Sequence, residues 1–158
     1  MNGAARGFTL IELLVVLAIM ATLAMVALPL TQVAAQRSRE DELKRALWQI
    51  RDAIDAYKAA ADAGKIDKSA DDSGYPPKLE TLVEGVVDRS SPTGSRLYFL
   101  RRIPRDPLCD CPSRGDAQTW GKRSYASPPD APAEGEDVYD VYSLADGAGL
   151  NGIDYRKW

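Results

Sequence analysis

Hydrophobic residues follow two different patterns along this chain, and the change between them predicts its main element. Residues 8–30, FTLIELLVVLAIMATLAMVALPL, are apolar on every side of a helix and carry one acid, Glu12. No further charge interrupts the run before Arg37, a length that predicts a membrane-spanning helix. Beyond it the apolar positions narrow to a stripe. Leu43, Leu47, Ile50, Ile54 and Tyr57 recur at steps of four and three, the spacing of an amphipathic helix. Arg39, Glu40, Lys44, Arg51 and Asp55 fall mostly off that stripe, and Glu40 and Lys44 stand at i,i+4. Gly64 is a stop signal. One nearly continuous helix is predicted from about Phe8 to Ala63, with Pro29 absorbed as a kink.

After the helix the pattern shortens. Residues 65–75 are polar and read as a loop. Pro76 and Pro77 suit a first helical turn, and Leu79, Leu82 and Val83 form one apolar face of a short second helix. Residues 97–100 are a strand candidate, and 103–107 an extended, turn-rich segment. Residues 109–137 are rich in Pro, Gly, Asp and Ser and read as an irregular loop around Trp120-Gly121. Residues 138–143, VYDVYS, alternate apolar and polar as a strand does, and the tail is a further loop. The fold class expected is α+β: a long N-terminal helix, its first half transmembrane, its second half packed on a small antiparallel sheet with a C-terminal loop.

Glu12 sharpens the picture. A carboxylate in a membrane span costs about 2.5–3.5 kcal/mol on insertion scales and asks for a functional reason. A plain signal peptide would have a shorter apolar core and a small-residue cleavage site. A plain anchor leaves Glu12 without explanation. Gly7-Phe8-Thr9-Leu10-Ile11-Glu12 resembles the processing motif of type IV pilins and of the pseudopilins of type II secretion systems. The resemblance implies cleavage after Gly7 by a prepilin peptidase, N-methylation of Phe8, and an assembly role for Glu12 and Pro29. It also implies a pilin fold divided into a leader at 1–7, a transmembrane and filament-core helix at 8–30, and a periplasmic head at 31–158. The Tyr75-Pro76 pair and the segment Ile103-Pro104-Arg105-Asp106-Pro107 resemble elements of the major, G-type pseudopilins.

Composition removes other classes. The chain of 158 residues has a net charge of −3 and no basic patch interleaved with aromatics, so nothing points to nucleic acid. There is no histidine, no Gly-rich phosphate loop, no HExxH and no serine elbow, so an enzyme has no support in the sequence. The two cysteines form Cys109-Asp110-Cys111, too few ligands for a metal. Two free thiols in a loop is the simplest reading. A strained local bridge or a contact between chains stays open in an oxidising compartment.

The tail offers candidate chemistry. Asp146-Gly147, Asn151-Gly152 and Asp154 place three oxygen-bearing side chains in one loop. By composition alone these are ordinary turn pairs. The resemblance changes the expectation, because G-type pseudopilins end in a strand, a Ser-Leu pair, an Asp-Gly and an Asp shortly before a Trp. Ser143-Leu144, Asp146-Gly147, Asp154 and Trp158 match that order. The resemblance implies a structural calcium held by Asp146 and Asp154, with Leu144 and Asn151 as further ligands. This loop is shorter than the family's and has neutral Ala148, Gly149 and Leu150 where acids are usual.

The function implied is a structural subunit of a type II secretion pseudopilus, polymerising from the inner membrane to drive export of folded proteins. The implied partners are further copies in a helical filament, minor pseudopilins, the prepilin peptidase, the membrane, and an inner-membrane assembly platform with its ATPase. Two alternatives remain: a type IV pilus subunit for adhesion, motility or DNA uptake, and an anchored binding domain that never polymerises.

Overall fold

The computed structural model describes residues 7–69 and 71–158, with the side chains of all of these except 26–30. Of the expected leader only Gly7 lies among them. The chain divides into two compact units, the first ending at Ser38 and the second being Arg39–Trp158.

Helix α1, Leu10–Asp62, has 53 residues and continues through Pro29, whose side chain lies outside those described. The expected transmembrane half is overturned. Among the described residues no helix is long and apolar enough to cross a membrane. From Thr31 the helix turns polar. The expected single pass through the inner membrane, with a periplasmic head, falls with the span.

In the second unit the stripe on α1 builds the core. Leu43, Leu47, Ile50, Ile54 and Tyr57 are all buried, packed with Leu79, Leu82, Leu100, Ile103, Trp120, Val138, Val141 and Tyr155. Burying each large aliphatic side chain contributes about 1.5–3 kcal/mol. The second helix is one turn, α2, Thr81–Glu84. It ends at Gly85, where a left-handed φ of 73° and the nearby Tyr98 ring leave no room for a Cβ.

The sheet is split. Strand β1, Val86–Val87, pairs antiparallel with β2, Arg96–Leu97. Strand β3, Trp120–Arg123, pairs antiparallel with β4, Asp140–Ser143. The two pairs are not hydrogen-bonded to each other. The strand predicted at 97–100 stops early because Phe99 and Leu100 both donate their amides to the Leu82 carbonyl in α2. The strand predicted from Val138 starts late because Val138 N–H donates to the Pro76 carbonyl. The stretch 109–137 is only partly irregular: it holds a 3₁₀ turn, Asp116–Thr119, and then β3. Gly121 faces Tyr142 across that pair, and a Cβ there would lie 2.4 Å from the tyrosine ring.

A buried polar network closes the head. Asp106 is 1% exposed. Its carboxylate accepts from Ser143 Oγ at 2.6 Å and from Leu108 N–H at 2.8 Å, while its own N–H donates to Thr119 Oγ1 at 3.1 Å. The Trp120 indole donates to the Pro104 carbonyl at 2.8 Å. The Pro-x-Asp-Pro segment thereby ties β4, the 3₁₀ turn and β3 together. Beside it Cys109 and Cys111 are joined in a disulfide, which corrects the reading of two free thiols. The Arg105 guanidinium donates to the Cys111 carbonyl.

Candidate functional site

Two regions collect the residues singled out by the sequence, one in each unit. In the first, Gly7 and Phe8 precede α1 without regular structure, and Phe8 is 84% exposed. The Gly7–Phe8 peptide is therefore open to a protease, as exposed non-helical chain generally is.

Glu12 has a local partner that sequence reasoning missed. Thr9 N–H and Thr9 Oγ1 each donate to Glu12 Oε2 at 2.8 Å, and Glu12 N–H donates back to Thr9 Oγ1 at 3.3 Å. Thr9 and Glu12 thus form a capping box at the start of α1. The spacing Thr-x-x-Glu was its signal. The carboxylate also sits in the first helical turn, where the helix dipole favours negative charge. Around it the helix presents apolar side chains on every side. Leu10, Ile11, Leu14, Leu17, Met20 and Leu23 are all more than half exposed.

In the second unit the C-terminal loop brings Asp146 and Asp154 together through Arg156. The Arg156 guanidinium donates to Asp146 Oδ1 at 2.7 Å, and the Arg156 N–H donates to Asp154 Oδ1 at 3.0 Å. Asp154 in this way caps the last 3₁₀ turn, Tyr155–Lys157. Asn151 Oδ1 accepts from Ile153 N–H at 3.0 Å, and Leu144 follows β4 directly. A calcium ion takes about six to eight oxygen ligands. Here each carboxylate already holds a donor, and among the described residues no group of three or more His, Cys, Asp and Glu could hold a metal. In this arrangement the four expected residues do not fit the ion.

The loop is tied to α1 by residues that the sequence placed off the apolar stripe without giving them a role. Glu40, 5% exposed, accepts at Oε1 from Leu150 N–H and from the Tyr155 hydroxyl, both at 2.9 Å. Arg51 donates to Asp140 Oδ1 at 2.8 Å, to the Val141 carbonyl at 3.1 Å and to the Trp158 backbone oxygen at 2.8 Å. The Lys44 ammonium lies 4.9 Å from the centroid of the Trp158 ring. Gly149 lies beneath that ring, and a Cβ there would be 2.3 Å from it.

Residues 3–28 match the prokaryotic N-terminal methylation motif family. Over 106 residues the chain is 29% identical to the type II secretion system core protein G of Klebsiella michiganensis, covering 65% of this chain and 67% of that protein. The name of that relative describes a component of a secretion system and no catalysis. No solved structure matches. The chain is thus similar, at a distance, to a type II secretion core protein, and it opens with a methylation motif.

Proposed function

We propose that this chain is a non-enzymatic structural subunit of a type II secretion filament. A prepilin peptidase removes the leader by cutting between Gly7 and Phe8, and Phe8 is then N-methylated. The first half of α1 is buried against the same helix of other copies. The observation that carries this reading is the ring of exposed apolar side chains from Leu10 to Met25, in a chain where, among the described residues, no helix is long and apolar enough to cross a membrane. So large an apolar surface calls for a partner, and another copy of the same helix supplies matching chemistry. Similarity to a secretion core protein and the methylation motif support the same assignment.

Glu12 then has two roles. In the free subunit it caps α1 with Thr9. In the filament it faces the Phe8 amine of a neighbour, a pairing that sets register, since either charge alone in a dry core is costly. The segment around Pro29 loosens as the copies pack. Further partners are minor subunits of the same system and the motor that extends the fibre.

The test is a strain lacking this chain, compared with its parent for released exoproteins and for sheared surface filaments. Retention of exoproteins, restored by the wild-type gene but not by a Gly7→Asp variant that stays unprocessed, is expected. Normal release together with loss of surface filaments would move the assignment to a type IV pilus. Normal release with an unprocessed chain would reject both.

A further inference from the structure

We propose that the C-terminal loop, residues 144–158, folds without a divalent cation, closed by Arg156 and docked onto α1 by Glu40. The proposal is independent of the filament reading. It rests on how the loop spends its oxygen atoms. A metal loop leaves carboxylates and carbonyls pointing inward for the ion; here they are turned on the chain itself. Arg156 contributes its guanidinium to Asp146 and its backbone N–H to Asp154, so one residue bridges the two aspartates. The Gly147 carbonyl accepts from Tyr155 N–H, and the Gly149 carbonyl from Gly152 N–H. The Ile153 carbonyl accepts from both Gly149 N–H and the Trp158 indole. Ala148 and Asp154 pair as an antiparallel bridge. The neutral Ala148, Gly149 and Leu150, which left a metal loop short of charge, suit this closure.

The strengths of these ties differ. The Arg156–Asp146 pair is exposed on both sides, and such pairs are weak. Its part is to neutralise Asp146 beside the cap rather than to lock the loop. The lock is Glu40. This carboxylate is buried and accepts two hydrogen bonds from the loop, one from a backbone amide and one from a tyrosine hydroxyl. Charge-assisted bonds in a buried site are the strong kind. Lys44 over Trp158 and Arg51 on the Trp158 backbone oxygen extend the same seam along α1. A cation between the aspartates would have to displace the Arg156 guanidinium from Asp146 and would find only two exposed side-chain carboxylates, well short of the about six to eight oxygen ligands calcium takes.

The test uses the full-length chain in detergent, followed by thermal melting and amide hydrogen exchange in EDTA and in millimolar calcium. Coincident melting curves in the two media are expected, because an ion that binds neither state preferentially leaves the equilibrium unchanged. Tyr155→Phe, which removes one donor to Glu40 and keeps the ring, should speed exchange of the Leu150 amide roughly tenfold in both media alike. Glu40→Ala should do so more strongly. If Glu40→Ala does not fold, Tyr155→Phe carries the test. A calcium-dependent rise in melting temperature that disappears in Asp146→Asn would overturn the proposal, as would Leu150 exchange that ignores Tyr155→Phe.

Discussion

Leucine, isoleucine and valine between Leu10 and Met25 stand exposed, whereas Leu43, Leu47, Ile50 and Ile54 further along the same helix are buried. The residue types are alike and the arrangement is not. In the first stretch apolar side chains occupy all sides, which no single layer of the chain's own structure can cover. In the second they keep to one stripe, which the head covers with α2, β3 and β4. An all-round apolar helix reports a need for other molecules, and a striped one reports a fold that completes itself.

The largest effect that tests this contrast is a matched pair of truncations. Ile50→Ala should destabilise the head by about 2–5 kcal/mol, as large-to-small changes in a packed core do. Leu14→Ala should shift the same melting transition by about 0.5 kcal/mol or less and should lower filament yield instead. Equal losses of stability from the two variants would erase the distinction. A smaller effect is expected at Gly149. Gly149→Ala pushes a methyl into the Trp158 ring and should cost about 1–3 kcal/mol, measured as a lowered melting temperature. An unchanged transition would mean that Trp158 does not hold the loop. The smallest effect is at the helix start. Glu12→Ala should weaken the capping box and speed exchange in the first turn of α1, while Glu12→Gln keeps the box, because glutamine serves at that position as well. Assembly then separates the two roles of Glu12. Failure of both variants supports charge pairing with a neighbour, and failure of alanine alone assigns the residue to the cap.

Much of the architecture was legible because helices are written in local periodicity. The stripe Leu43–Tyr57 and the pair Leu79 and Leu82 were readable at three- and four-residue steps, and all are buried. The short strands were less legible, because their ladders depend on distant partners. Trp120-Gly121 looks like loop sequence until Tyr142 is set opposite Gly121. The membrane reading is overturned: among the described residues no helix is long and apolar enough to cross a membrane, and from Thr31 the helix turns polar. At the sites, the Gly7–Phe8 peptide is exposed, and Glu12 has a partner that the spacing alone did not bring out, Thr9 just ahead of α1. Glu40 was read as a surface charge paired by spacing with Lys44; its burial follows from Leu150 and Tyr155, more than a hundred positions away in sequence. A polar residue on an amphipathic helix gives no local sign that a distant loop will claim it.

The place of Glu40 on α1 has a mechanical meaning. It is the second residue of the compact head, ahead of Leu43, the first of the buried stripe. Tension drawn along α1 into the head reaches the Glu40 hydrogen bonds before it reaches the hydrophobic core. Those bonds join the incoming helix to the far end of the chain, so the load divides between two strands of polypeptide instead of peeling α1 away turn by turn. A chain loaded through its helix is thereby gripped at the point of entry, and in a pulling experiment Glu40→Ala should yield at lower force than Arg156→Gln.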